Sequence, residues 1–252
     1  MSKLDVIIPV YNEGENIIET LDALGRTVKS PFRVLICYDH DEDTTLPAIR
    51  ARGGWPFEIL PVKNQGKGVH GAVLTGFRAS TAPAVVVVTA DEPTNAEILD
   101  PMIEKFEEGH DIVSASRFMR GGRVEGVPFL KGLLARAGSF VLYHVAGLPT
   151  HDSSYGFRMF SRRVIERVPI ESTAGFTYSI ELLAKCHRLG WKIAEVPAHQ
   201  PERKHGSSRF RVMKWLPAYL QWFVYILSTT VLFRGPASVR LTGQAEGARG
   251  RQ

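Results

Sequence analysis

The stretch Val85-Val86-Val87-Val88-Thr89-Ala90-Asp91-Glu92-Pro93 sets four β-branched residues in a row, then breaks into two carboxylates and a proline. Valines without polar alternation predict a strand buried on both faces, as in a sheet covered by helices. Pro93 bars its continuation as a central strand. Ligands of an open α/β sheet bind beyond the carboxyl ends of its strands. Asp91 therefore stands where a carboxylate can hold a divalent cation, accept a hydrogen bond from a sugar, or act as a base. The plainer alternative is a cap on the helix expected over residues 96–106.

Outward from that strand the same unit recurs. Residues 6–10 read as a short apolar strand stopped by Tyr11-Asn12-Glu13, after which Ile17, Ile18, Leu21 and Leu24 show helical spacing. Residues 33–37 form a strand running into Tyr38-Asp39-His40-Asp41, residues 57–62 another, and residues 112–116 one that ends at Arg117. Strands alternating with helices predict an α/β fold with a mostly parallel sheet and helices on both faces. Right-handed crossovers bring the strand-end loops to one edge. Pro9, Tyr11, Glu13, Asp39, Ala90, Asp91 and Arg117 are then expected around a single rim.

The turn Asn64-Gln65-Gly66-Lys67-Gly68 precedes a helix over residues 69–79. It lacks the spaced glycine and the following Ser or Thr of a P-loop. No Gly-x-Gly-x-x-Gly follows the first strand, so a dinucleotide fold has little support. Lys67 is left as an anion contact near a helix N-terminus or as a solvated lysine in an ordinary turn.

The 252 residues are 44% hydrophobic and 23% charged, an ordinary globular composition. The net charge of +5 is uneven: Lys and Arg crowd residues 117–136 and 203–214, which favours anionic ligands or an anionic membrane surface. No motif supports nucleic acid as a partner. Cys37 and Cys186 lie in apolar settings without metal spacing and read as buried thiols of a reducing compartment. The first residues lack the apolar core of a signal peptide, so the catalytic part is expected in the cytoplasm.

Residues 129–145 read as an amphipathic helix offering Lys131 and Arg136 to phosphates. Residues 215–233 are nineteen uncharged residues rich in Trp, Tyr and Phe, flanked by Arg211, Lys214 and Arg234. That length just spans a bilayer, but the polar residues within it and the arginines beyond it favour an interfacial helix. Spanning, or packing on the catalytic domain or a partner subunit, are the alternatives.

Six blocks in order carry a resemblance: residues 6–13 (VIIPVYNE), 64–79, 112–122 (IVSASRFMRGG), 152–161 (DSSYGFRMFS), 176–197 and 203–209 (RKHGSSR). Together they resemble a family-2 glycosyltransferase of the GT-A type, most like the dolichol-phosphate and polyprenyl-phosphate mannosyltransferase group. The resemblance covers roughly residues 5–210 and implies a catalytic domain over residues 1–210; the uncharged aromatic run and the polar composition beyond it predict a helix at 211–235 and a disordered tail at 236–252. It implies a nucleotide-diphosphate sugar donor, a divalent metal (Mg2+ or Mn2+), and inversion at the anomeric carbon. Carried over by position, Pro9, Tyr11 and Glu13 line the nucleoside, Asp39 meets the base, Asp91 binds the metal beside Ala90, and Arg117 faces phosphate. Lys67, Arg203 and Arg209 join the donor set, and Lys131, Arg136 and Arg203 the acceptor phosphate. This chain departs from the family pattern at Tyr38, at Tyr155 in place of Ser, and in the Asp-x-Asp metal motif, which reads Thr89-Ala90-Asp91 with Pro93 where an amide ligand is often found. The metal is thus held by Asp91 and donor phosphates alone, bound weakly, or absent.

Transfer to a lipid monophosphate needs no strong base, because the phosphate is already anionic at neutral pH. Transfer to a sugar hydroxyl needs a carboxylate base, with Asp152 or Glu181 the candidates; Asp152 equally suits a turn cap. The expected activity is transfer of a sugar to a polyprenyl phosphate at the cytoplasmic membrane face, with Asp91, Asp152 and Arg117 at the centre of the site. Transfer to a cell-surface glycan, or a weakened binding or scaffold role, are the alternatives.

Overall fold

The computed structural model describes residues 2–201, 212–232, 239, 241 and 242. In chain order the first half gives β1 (Leu4–Val10), α1 (Asn16–Thr27), β2 (Phe32–Tyr38), α2 (Thr45–Arg52), β3 (Glu58–Lys63), α3 (Gly68–Ala79) and β4 (Ala84–Val87). A 3-10 turn (Thr94–Ile98) then leads to α4 (Leu99–Glu107), β5 (Ile112–Ser116), β6 (Arg123–Val124), α5 (Phe129–His144) and β7 (Arg158–Ser161). The remainder is α6 (Arg162–Arg167), α7 (Thr177–Arg188), β8 (Ile193–Pro197), β9 (His199–Gln200) and α8 (Val212–Leu227).

Seven strands form one sheet in the order β3-β2-β1-β4-β7-β5-β8. The valine run behaves as its composition requires. Val86 and Val88 enter the core beneath α1 and α4, and Val85 and Val87 enter the opposite core beneath α3 and α7. Gly76 of α3 lies so close to β1 that a Cβ there would sit 2.6 Å from Ile7 Cγ2, so helix and sheet meet in direct contact.

The β1, β2, β3 and β4 pairings are parallel, as expected, but β7 enters antiparallel between β4 and β5. The reason is topological. The chain leaves the carboxyl end of β5 at Ser116, makes a long excursion along that edge, and re-enters the sheet from the same edge at Arg158. All four residues of β7 are buried, so no alternation marks its direction in the sequence.

The face of α8 bearing Trp222 and Ile226 is buried in the core beside α7. Its α-helical run ends at Leu227 and continues as a π turn (Ser228–Leu232), where Ser228 and Thr229 hydroxyls donate to the Tyr225 carbonyl at 3.2 and 2.7 Å. No helix among the described residues is long and apolar enough to cross a membrane. Within the segment expected to be a disordered tail, Val239 is buried and the Thr242 N–H donates to the Arg167 carbonyl.

Glu181, one candidate base, belongs to this architecture and not to a site. Its buried carboxylate accepts from the Glu171 and Ser172 N–H groups and from Lys185 Nζ at 2.7 Å, pinning α7 to the preceding loop.

At the amino-terminal edge of the sheet, buried Asp5 accepts from Arg33 through two 2.9 Å bonds, from the Ser80 hydroxyl, and from the Thr81 and Ala82 N–H groups. Burial alone would raise its pKa, but Arg33 and the other donors outweigh it and hold the carboxyl below its ordinary value. The stability this confers is therefore present above about pH 4 and is lost as pH falls through the lowered folded value. Urea midpoints measured against pH should show that acid loss, and Asp5→Asn should flatten it. Asp5→Ala should cost about 3 kcal/mol at neutral pH.

Candidate active site

The loops after β1 and β2 are built into one another. Asn12 adopts φ 53°, a left-handed conformation that Asn tolerates, and its N–H donates to buried Asp43 at 3.0 Å. Asp43 also accepts from the Thr45 N–H at 2.9 Å, and Thr45 Oγ1 takes the Glu13 N–H at 3.0 Å. Asp43 therefore shapes the loop that carries Tyr11 and Glu13. Tyr11, 53% exposed, meets the His40 ring edge-on at 5.5 Å. Asp39 accepts from Asn64 Nδ2 at 2.6 Å, which joins the rim to the glycine turn. That turn is tight: a Cβ on Gly66 would lie 2.8 Å from the Gly71 Cα. Lys67 is held in it with an exposed side chain.

The segment after β4 carries the acidic pair. Thr20 of α1 donates to the Ala90 carbonyl at 2.6 Å, anchoring the loop on the floor of the rim. Asp91 is exposed, whereas Glu92 turns inward. The Glu92 carboxylate accepts from Thr89 Oγ1 at 3.3 Å, from Asn95 Nδ2 at 2.9 Å, and from the Tyr155 hydroxyl. Burial is the main cause that pushes its pKa up to about 7; the Asp91 charge adds to the rise, while Asn95, Thr89 and Arg117 oppose it.

Arg117, just past β5, is gripped by Asp152. Its Nε donates to Asp152 Oδ2 at 2.6 Å and its Nη2 to Oδ1 at 3.0 Å; Gln200 and Ser154 accept one further hydrogen each, from Nη1 and Nη2. The guanidinium lies 4.5 Å from the Tyr155 ring centroid and 5.1 Å from that of Phe118. Arg136 of α5 approaches the same Phe118 ring at 5.2 Å. Asp152 has no exposed surface, and its oxygens also accept from the Arg117, Ser154 and Tyr155 N–H groups. That is the arrangement of an anchor, with both carboxylate oxygens already accepting from protein donors.

β1, β2, β4 and β5 run in the same direction, so Pro9, Tyr11, Glu13, Asp39, Ala90, Asp91 and Arg117 belong to the loops or strand ends of one sheet edge. Arg203 and Arg209 lie outside the described residues, as does the side chain of Lys131. Sequence reasoning brought the run from Asp39 to Asp43 to the rim but gave no role to Asp43, Glu92, Asn95 or Gln200; Tyr155, which departs from the Ser of its block, was the one available signal for the cluster around Glu92.

The donor set bears on the metal. Thr89 gives its hydroxyl hydrogen to Glu92, and Pro93 has no side-chain oxygen. No group of three His, Cys, Asp or Glu suited to a metal ion occurs among the described residues. The exposed Asp91 carboxylate fits a hard cation completed by diphosphate oxygens and water, as magnesium accepts, and does not fit a cage made by protein alone.

A mostly parallel sheet with carboxylates and a clamped arginine along its carboxyl edge defines a GT-A-like α/β protein. The chain matches the family described as Glycosyl transferase family 2 over residues 5–168, and it belongs to that family. It is 31% identical over 204 residues to a dolichyl-phosphate hexose transferase of Haloferax volcanii, covering 79% of this chain and 83% of the relative. To a dolichol-phosphate mannosyltransferase of Pyrococcus furiosus it is 29% identical over 232 residues, covering 84% of this chain but only 64% of that protein's length. Among solved structures, glucosyl-3-phosphoglycerate synthase of Mycobacterium tuberculosis, in complex with Mn2+, UDP and glucosyl-3-phosphoglycerate, superposes with a TM-score of 0.62. At 18% identity, covering 91% of this chain and 80% of that one, it shares the fold.

The geometry separates the two aspartates. Asp91→Asn, at an exposed position, should change unfolding free energy by no more than about 0.5 kcal/mol. Asp152→Asn should cost about 3 kcal/mol, because it leaves the largely covered Arg117 without its counter-charge. Equal denaturant midpoints for the two variants would contradict this assignment.

Proposed function

We propose that the protein transfers a sugar from a nucleotide-diphosphate donor to a polyprenyl phosphate, with inversion, at the cytoplasmic face of a membrane. One observation carries the reading: Arg117 of the rim and Arg136 of α5 approach the same Phe118 ring, their guanidinium groups 5.1 and 5.2 Å from its centroid. Cationic groups thus continue from the donor edge onto a helix whose outer face exposes Leu133, Leu134, Phe140 and Val145. α8 lies against α5 and adds exposed Leu220 and Val224. A phosphate on a hydrophobic tail matches that combination of charge and apolar surface. The names of the Haloferax and Pyrococcus relatives support the same acceptor class.

In this reading the acceptor phosphate oxygen attacks the anomeric carbon from the side opposite the diphosphate. The new carbon–oxygen bond forms as the bond to the leaving diphosphate breaks. The acceptor is already ionised, so no side chain need take a proton. This agrees with the engagement of both candidate bases, Asp152 in the Arg117 clamp and Glu181 in its ion pair with Lys185. It disfavours a saccharide hydroxyl as acceptor. Pro9, Tyr11, Glu13 and Asp39 bind the nucleoside, Lys67 and Arg117 the diphosphate, and Arg136 with Lys131 and Arg203 the acceptor phosphate. Arg209 belongs with the donor group. Asp152 acts through Arg117 as a positioning residue. A divalent cation held by Asp91 and the diphosphate oxygens would offset charge on the leaving group.

Radiolabelled sugar nucleotides incubated with polyprenyl phosphate, with a soluble saccharide, and with buffer alone test the proposal. Label should pass into an organic-extractable product only with the lipid. Chelation should lower the rate at least about tenfold, and added Mg2+ or Mn2+ should restore it; Asp91→Asn should lower it about 100-fold. A water-soluble product, or turnover indifferent to chelator and to Asp91→Asn, would overturn the acceptor or the metal assignment respectively.

A further inference from the structure

The departures from the family pattern at Thr89 and Tyr155 do not lie apart in the fold: they touch one side chain, Glu92. The Tyr155 hydroxyl and Asn95 Nδ2 donate to Glu92 Oε1, and Thr89 donates to Oε2. Asn95 Nδ2 also donates to the Tyr155 oxygen at 2.8 Å, and its Oδ1 takes the His199 N–H at 3.1 Å. Asn95 is 1% exposed, so the cluster is closed to solvent on that side. Glu92 is covalently next to Asp91. Tyr155 stacks against Arg117 at 4.5 Å and donates its own N–H to Asp152, the residue that clamps Arg117. The cluster is therefore a short mechanical connection between the exposed carboxylate of the rim and its arginine.

We infer that Glu92 and Tyr155 form a positioning pair that sets Asp91 and Arg117 relative to one another. Thr89 removes a carboxylate from the loop, and the rim is left with Asp91 as the charged group of that segment. A single carboxylate tolerates misplacement poorly, because no second ligand corrects its aim. Glu92, drawn inward by the Tyr155 phenol, fixes the backbone on which Asp91 stands. The same phenol ring fixes the plane of the Arg117 guanidinium. Neither Glu92 nor Tyr155 need touch donor or acceptor; a shift of about 1 Å in groups that align the reacting atoms is enough to cost up to about 100-fold in rate.

The inference rests on the proposed transfer reaction and is tested with the full chain. Steady-state kinetics with the active sugar nucleotide and polyprenyl phosphate are measured for wild type, Glu92→Gln, Tyr155→Phe and the double variant. Thermal midpoints are recorded in parallel. Each single variant keeps its shape but removes a charge or a hydroxyl, and each should lower kcat about tenfold with the donor KM within about twofold of wild type. The double variant should be no worse than the poorer single one, because the two side chains act as one unit. Tyr155→Leu, which also removes the ring beneath Arg117, should raise the donor KM in addition. Should Glu92→Gln fail to fold, Tyr155→Phe and Tyr155→Leu carry the test. Wild-type kcat in Tyr155→Phe, multiplying losses in the double variant, or losses that simply follow a fall in thermal midpoint would overturn the pair while leaving the transfer reaction standing. Absence of lipid product from the wild type would overturn both.

Discussion

The site depends on the ion pair between Arg117 and Asp152. Removing a carboxylate from water costs several kcal/mol unless its lone pairs are met, and Asp152 meets that demand with the Arg117 fork, three backbone N–H groups and the Ser154 hydroxyl. The loop from 152 to 155 is then not free to choose its shape. Beneath it the fully buried guanidinium of Arg158 donates to the Asp152 and Ser153 carbonyls and to Ser114 and Ser179. Among the described residues no carboxylate is hydrogen-bonded to Arg158, and burial pushes its pKa down to about 10, which still leaves it charged at neutral pH. Two cations and one anion, two of them fully buried and Arg117 nearly so, thus fix where the excursion after β5 returns to the sheet. That return delivers Tyr155 to Glu92.

The antiparallel β7 follows from the same constraint. A strand entering from the carboxyl edge places its first residues at the rim, so the segment before Arg158 lies among the loops that close β1, β2, β4 and β5. A parallel strand would have required a further crossover and would have left residues 152–157 at the far edge of the sheet. The mixed sheet is therefore what lets a segment far along the chain complete a site begun in its first half.

Much of this was legible from residue order. The valine run, the helical spacing of Ile17, Leu21 and Leu24, and the turn at Gly66–Gly68 depend on local preference and periodicity, and the structure follows them. The strand ends that supply Tyr11, Asp39, Asp91 and Arg117 followed from handedness alone. What stayed hidden depends on partners distant in sequence. RMFS at β7 is buried on all sides, so its direction leaves no pattern. Asp152 in a turn looks the same whether it serves as a base or as an anchor; the distinction lies in Arg117 and Gln200, which are remote from it along the chain. Asp43, in a run of exposed-looking acids, proves buried because Asn12 and Thr45 supply N–H groups that the sequence does not pair with it.

Thr89, which stands two residues before Asp91, and the half-buried Glu92 are best understood together. In a rim with two carboxylates at the loop, each restrains the cation and each is restrained by it, so the cation itself organises the loop. With Thr89 in one of those positions, that organisation has to come from the protein. Thr89 instead donates to Glu92, which Asn95 and Tyr155 also hold, so the polar side chains that could loosen the loop are satisfied within it. A hydrogen-bonded scaffold of this kind exists before any ligand arrives, and its ordering cost is met during folding. The loop is thus restrained by the fold's own hydrogen bonds, and Asp91 is exposed on a backbone that those bonds hold.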